Sequence, residues 1–275
     1  MRAHRSRVPV ARRAASLRAA ALGALCAAWL GACPALAEPA PLRIGVAHVP
    51  AAADVPAARL YTPEGVDLDL ANEIGRRLGR KVVLVEVRPE GTAEAVTSGR
   101  VDALVLRLGE GQESPAALEL VPSGYASALT VLMRTDTDIR RWEDLRGRTV
   151  CAAAANGDAR LLAHRLGARL SVQPVPAHSL MRVRTGECDA ALHDEATLRG
   201  LSGDPEWKKF TATLPPRDMT RLVVALPKAG GAQTQTLRAA LSPPPEPGFW
   251  RQRLSEWARN VALEVYLDQD APDCH

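Results

Sequence analysis

Apolar residues in this chain fall into short continuous runs, separated by stretches where they recur every three or four positions. The runs Leu42–Ala47, Val82–Val87, Val101–Leu106, Leu129–Met133, Thr149–Ala153, Leu170–Val175, Cys188–His193 and Arg221–Leu226 read as β-strands. Leu68, Leu70, Ile74 and Leu78 form a stripe on one helix face. Thr92–Ser98, Asp158–Leu166, Ser179–Thr185, Gln233–Leu241 and Phe249–Tyr266 are the other predicted helices, with Pro243-Pro244-Pro245 separating the last two. Strands alternating with helices imply parallel sheets with right-handed crossovers. The unbroken runs Val101–Leu106 and Leu129–Met133 suit strands covered on both faces.

A repeat organises these elements. Arg77-Leu78-Gly79, followed by the strand-like Lys81–Val87, parallels Arg165-Leu166-Gly167 and Leu170–Val175 at an offset of 88. Gly99-Arg100-Val101-Asp102-Ala103-Leu104 parallels Gly186-Glu187-Cys188-Asp189-Ala190-Ala191 at an offset of 87. The period is too long for a solenoid and fits two copies of one strand-helix-strand-helix-strand unit. Leu129–Met133 and Arg221–Leu226 flank the second copy, so a second lobe is expected to be inserted into the first. The expected fold is α/β and two-lobed, with two doubly wound sheets joined by a two-stranded hinge. Lobe 1 would comprise residues 38–130 plus 222–275, and lobe 2 residues 131–221. Open α/β sheets bind ligands beyond the carboxyl ends of their strands, so the cleft between the lobes is where a small molecule is expected.

Charge and composition change the picture at one end of the chain. The 275 residues carry a formal net charge of +4, with 47% hydrophobic and 24% charged positions, an ordinary globular balance. Residues 1–37 hold six arginines and no acid, however, and the remainder has 29 basic against 31 acidic residues. A basic surface for nucleic acid therefore loses its support. That stretch reads as a secretory signal peptide: an Arg-rich start, an apolar run Ala19–Leu30 and a small-x-small cleavage site, Ala35-Leu36-Ala37. Leu30-Gly31-Ala32-Cys33 loosely resembles a lipobox, which leaves a lipid tether at Cys33 as an alternative. No other run is long enough to span a bilayer. Export places the remaining cysteines, Cys151, Cys188 and Cys274, in an oxidising compartment.

Catalytic signals are weak. His48, His164, His178, His193 and His275 lack metal-ligand spacing, and there is no nucleophile elbow, P-loop or HExxH segment. No enzyme, cofactor or metal is expected. The pair Asp67 and Asp69 reads as capping at a helix start.

Several segments together are similar to the bacterial extracellular solute-binding proteins of family 3, the polar amino-acid type with the type II periplasmic binding fold. They include Leu42-Arg43-Ile44-Gly45, Gly65-Val66-Asp67-Leu68-Asp69-Leu70-Ala71, Ser98-Gly99-Arg100-Val101-Asp102-Ala103, Trp142-Glu143-Asp144-Leu145-Arg146-Gly147 and Cys188-Asp189-Ala190-Ala191-Leu192-His193-Asp194-Glu195. The resemblance covers about residues 41–265. It implies a monomeric periplasmic receptor that closes on a small polar, amino-acid-like solute and delivers it to the membrane permease of an ABC transporter. A sensor, or an accessory subunit of a periplasmic oxidoreductase, is the alternative.

The same resemblance implies the site. Asp194 stands where the family places the carboxylate that grips a ligand's α-ammonium; capping of the following helix is its other reading. Ser114 replaces the family's carboxylate-binding arginine and, before Pro115, reads as a helix N-cap. Arg107, at a strand end, supplies the missing anion site, forms a salt bridge across the cleft or is a solvated side chain. Asn156 and Gly157 open the first helix of lobe 2, where relatives hold a carboxylate; capping of that helix by Asn156 or Asp158 is the other reading. Tyr61 is the remaining candidate for a lost aromatic clamp, with packing on the surface its other reading, and Gly109, a further candidate, opens the altered run that ends in Ser114-Pro115. Tyr125 reads as structural. Cys151 and Cys188 sit on strands that are neighbours in a doubly wound unit, and a branch of the family has both, so a Cys151–Cys188 disulfide is expected, with Cys274 unpaired.

Overall fold

A computed structural model of the chain describes residues 39–50, 62 and 65–268, the side chain of Pro247 excepted. The expected signal peptide, Cys33, Tyr61 and Cys274 lie outside the described residues.

The first copy of the repeat forms β1 (Leu42–Val46), α1 (Val66–Leu78), β2 (Val82–Glu86), α2 (Thr92–Thr97) and β3 (Ala103–Gly109). The second forms β5 (Thr149–Ala153), α3 (Gly157–Arg165), β6 (Arg169–Gln173), α4 (Pro176–Arg184) and β7 (Ala190–Asp194), continuing into α5 (Glu195–Ser202). Between and after them run the long strands β4 (Leu118–Leu132) and β8 (Arg217–Pro227), followed by α6 (Ala232–Leu241) and α7 (Pro247–Leu267).

Within each copy the first strand pairs in parallel with the second and third. The long strands join the two halves into one ladder of order β2-β1-β3-β8-β4-β7-β5-β6. β8 lies antiparallel between β3 and β4, and β4 changes partner along its length, from β8 at Leu118–Leu129 to β7 at Leu129–Leu132. It is longer than the run Leu129–Met133 suggests, because Pro122, Ser123 and Gly124 interrupt its first half. There the ladder shifts register between the Pro122↔Val223 and Ala126↔Arg221 pairs, leaving three residues of β4 opposite one of β8. Proline contributes no ladder N–H, and Gly124 adopts φ +79°, so the interruption is a bulge.

Both faces of each half-sheet are covered. Leu70, Ile74, Leu237 and Leu241 pack on one face of the first half, and Ala95, Val96 and Val101 on the other. In the second half, Leu180, Val183 and Leu198 cover one face and Ile139, Leu145, Leu162 and Ala163 the other. Helix α7 belongs to both halves: Trp250 sits in the core of the first, while Trp257, Val261 and Val265 sit in the core of the second. Its close contact with α5 requires a glycine, since a Cβ at Gly200 would lie 2.7 Å from the Cβ of Ala258.

Cys151 and Cys188 form a disulfide, with Cα atoms 6.0 Å apart. Ser114 caps nothing: no helix follows Pro115, whose carbonyl instead accepts the N–H of Leu118 in a turn at 2.9 Å.

Candidate functional site

In a flat sheet, the ends of β3 and β7 would be three strand spacings apart, about 14 Å. Curling brings them together. Arg107, near the end of β3, donates from Nη1 to Oδ2 of Asp194, the last residue of β7, at 2.7 Å. Its Nε donates to Oδ1 of Asp67 at 3.3 Å. The pair is enclosed, with 16% of the Arg107 side chain and 3% of the Asp194 side chain exposed. Asp194 also accepts from the Tyr125 hydroxyl at 3.1 Å and from Nδ2 of Asn156 at 3.4 Å.

Local sequence explains how each partner reaches this point. Asp67 lies in the first turn of α1, whose N-cap position is Gly65, a residue with no side chain to cap the helix. Its carboxylate turns to Arg107 instead, correcting the capping expectation. Asp194 precedes α5 and makes no side-chain cap either, so the strand end presents it to the site. Asn156 has two roles: its Oδ1 caps α3 by accepting the Ala159 N–H at 3.0 Å, while its amide nitrogen faces Asp194. Tyr125 is aimed by the bulge in β4. Ser123 donates to the Leu222 carbonyl at 2.6 Å and accepts the Tyr125 N–H at 3.1 Å. The Tyr125 ring rests 5.1 Å from that of Trp250, whose Nε1 donates to the Ser123 carbonyl at 3.0 Å.

The site carries more acid than base. Burial pushes the Asp67 carboxyl up, with Arg107 opposing and Asp194 adding to the rise. Asp158, in the first turn of α3, is raised in the same way, and its Oδ2 is buried without a hydrogen-bond partner among the described residues. Burial works against the charge of Arg107, yet Asp194 and Asp67 hold it well above the ordinary arginine range. The Tyr125 hydroxyl is raised by burial and then by the Asp194 charge, so it stays a proton donor. The helix N-termini of α1 and α3 favour carboxylates in their first turns and help hold this acidic ring around one guanidinium.

Among the described residues, the free space beside Arg107 is small. Two cavities of about 10 Å³ flank Arg107, one walled by Asp69, Thr197 and Trp257, the other by His48, Ala155 and Asn156. Each is about the size of one water.

Of the residues expected from the sequence, Asp194, Arg107 and Asn156 come together. Gly109 and Gly157 do not join them. The N–H of Gly109 is taken by Oε1 of Gln112 at 2.9 Å, and Gly157 is exposed at the start of α3. The sequence suggests a cap at Asp67 and a structural role for Tyr125, yet both contact the central pair. A signal was present, since Arg107 and Asp194 are 87 residues apart, the offset of the second repeat block. Among the described residues, no group of three His, Cys, Asp or Glu is placed to hold a metal ion, and no helix is long and apolar enough to cross a membrane.

Residues 52–158 match the model of the bacterial extracellular solute-binding proteins, family 3. By sequence and fold, the chain resembles that family. A probable amino-acid ABC transporter-binding protein of Haemophilus influenzae is 24% identical over 141 residues, 49% of this chain and 52% of that protein. The chain thus spans about half the length of the curated relative it matches. Two solved structures share the fold at 19% identity. The GluR0 ligand-binding core from Nostoc punctiforme, in complex with L-glutamate, has a TM-score of 0.53 over 79% of this chain and 99% of its own. A mutant of ArgBP from T. maritima has a TM-score of 0.52 over 78% of this chain and 94% of its own. The family 3 match and the relative are both named as binding proteins.

Proposed function

We propose that this protein is a monomeric periplasmic receptor, exported by residues 1–37, that takes a small amino-acid-like solute between the ends of β3 and β7. It then delivers the solute to the permease of an ABC transporter. The Arg107–Asp194 ion pair carries this reading. A zwitterion inserted between the two exchanges one ion pair for two: its ammonium takes Asp194, and its carboxylate takes Arg107, which keeps Asp67 behind it. Both new contacts are charge-assisted and largely dry, where such bonds are strongest. Residues 38–130 plus 222–275 form one lobe in this reading and residues 131–221 the other, with opening along β4 and β8 admitting the solute.

A thermal-shift screen of the wild-type chain with amino acids, polyamines and organic acids tests the proposal. A solute at 100 times its Kd should add about 2.7 kcal/mol of stability. Asp194→Asn should abolish the shift for amine-bearing solutes. Silence across the screen, or an undiminished shift in Asp194→Asn, would falsify the reading.

A second reading, a sensor or an accessory subunit of a periplasmic oxidoreductase that delivers no solute, is favoured by α7. That helix is embedded in the cores of both half-sheets, which resists their separation. The second reading expects no solute to shift the wild-type chain.

A further inference from the structure

We propose that Arg107 is a tethered occupant of the amine seat at Asp194, so that solutes enter by exchange with a guanidinium belonging to the chain itself. This rests on the cleft assigned above but not on transport.

The guanidinium is a cation bearing N–H donors, as an alkylammonium or alkylguanidinium solute is. It takes the Asp194 carboxylate at 2.7 Å, while Tyr125 and Asn156 donate to the same group. Among the described residues, the space left on either side is about 10 Å³, so the seat is filled. Asp67, on helix α1 of the same repeat copy as Arg107, gives the guanidinium a second anchor at 3.3 Å. A displaced Arg107 therefore keeps one carboxylate and loses the other.

This geometry sorts solutes by charge pattern. A simple amine can reach Asp194 only by leaving the enclosed guanidinium with Asp67 alone. A zwitterion brings a carboxylate that restores the lost partner. Apparent affinity falls by the fraction of time in which the competent state is present, so a seat occupied nine-tenths of the time weakens a simple amine about tenfold. Arg107 is in this sense a specificity-determining residue that excludes amines lacking an anion.

The test uses Arg107→Ala with methylguanidinium and methylammonium as probes, read by calorimetry and thermal shift. The variant should bind methylguanidinium saturably, about tenfold or more tightly than the wild-type chain. Adding Asp194→Asn to Arg107→Ala should remove that binding. Equal affinity in wild type and variant, or no binding in the variant, overturns the proposal. If Arg107→Ala fails to fold alone, its refolding yield in methylguanidinium becomes the readout: recovery supports the proposal and no recovery overturns it. A wild-type chain that answers to no amino acid, beside a rescued Arg107→Ala, removes the receptor reading and leaves this one standing.

Discussion

In each copy of the repeated unit, an aspartate just ahead of the third strand ties down the start of the first. Asp102 accepts the N–H of Arg43 and Asp189 accepts that of Thr149, both at 2.8 Å. Each aspartate's own N–H then donates to the carbonyl of the same partner, again at 2.8 Å. Glycines in the left-handed region follow matching helices, Gly79 and Gly167 at φ 60° and 70°, Gly99 and Gly186 at 73° and 81°. Five positions beyond each aspartate the copies diverge: one places Arg107 near the end of β3, the other ends β7 with Asp194. Backbone requirements have kept the turns alike, whereas the strand ends face one another and carry opposite charges. The equivalent positions of the two copies are thereby each other's partners.

The largest expected effect comes from removing one member of that pair. Asp194→Ala leaves an enclosed guanidinium with Asp67 alone and should cost about 3–5 kcal/mol in urea unfolding. A cost no larger than that of a surface aspartate such as Asp136 would contradict the central place of the pair. The disulfide distinguishes the copies in a second way, because only the second has one. Replacing both cysteines by alanine should cost about 3–4 kcal/mol on the chain-entropy view. Hydrogen exchange should then quicken in 149–194 more than in 42–109; equal changes would show that the bridge does not act locally.

Helix α7 tests whether the halves are held together. Gly200→Ala improves helix propensity but drives a methyl into Ala258, and should cost about 1–3 kcal/mol. A stabilised variant would mean that α5 and α7 are not in tight contact. The smallest effect concerns Asp69, on the wall of one cavity, where burial pushes the carboxyl up to about 6. The folded chain holds that proton more tightly than the unfolded one. This contribution is full below about 4, the ordinary value, and is lost as pH rises through about 6. Asp69→Asn should therefore raise stability at pH 7 by roughly 1–2 kcal/mol, allowing for partial exposure, and flatten the profile between pH 4 and 6. An unchanged profile would remove the buried carboxyl from the picture.

The strands were legible because buried parallel strands carry unbroken apolar runs; the Thr149–Ala153 reading coincides with β5, and most others shift by one to four residues. The start of β4 was not, because Pro122, Ser123 and Gly124 interrupt the apolar pattern and only the ladder shows them as a bulge within a strand. In the site, the resemblance to family 3 points to Asp194 at a strand end and Asn156 at a helix start, and the fold brings their side chains within 3.4 Å of each other. Asp67 looked like a cap because the first turn of a helix is where caps and dipole-stabilised carboxylates both occur, and sequence cannot separate them. Tyr125 was hidden by the bulge that aims it. Ser114-Pro115 met the composition of a helix start, but only two residues separate Pro115 from β4, too few for a helix.

A double-mutant cycle of Arg107→Ala and Asp194→Ala, read as unfolding free energy, bears most directly on the pairing of the two strand ends. Coupling of about 2 kcal/mol or more is the expected result, because either single change strands the other charge and the double change removes both. Additivity within about 0.5 kcal/mol would mean that the two side chains do not hold each other in solution.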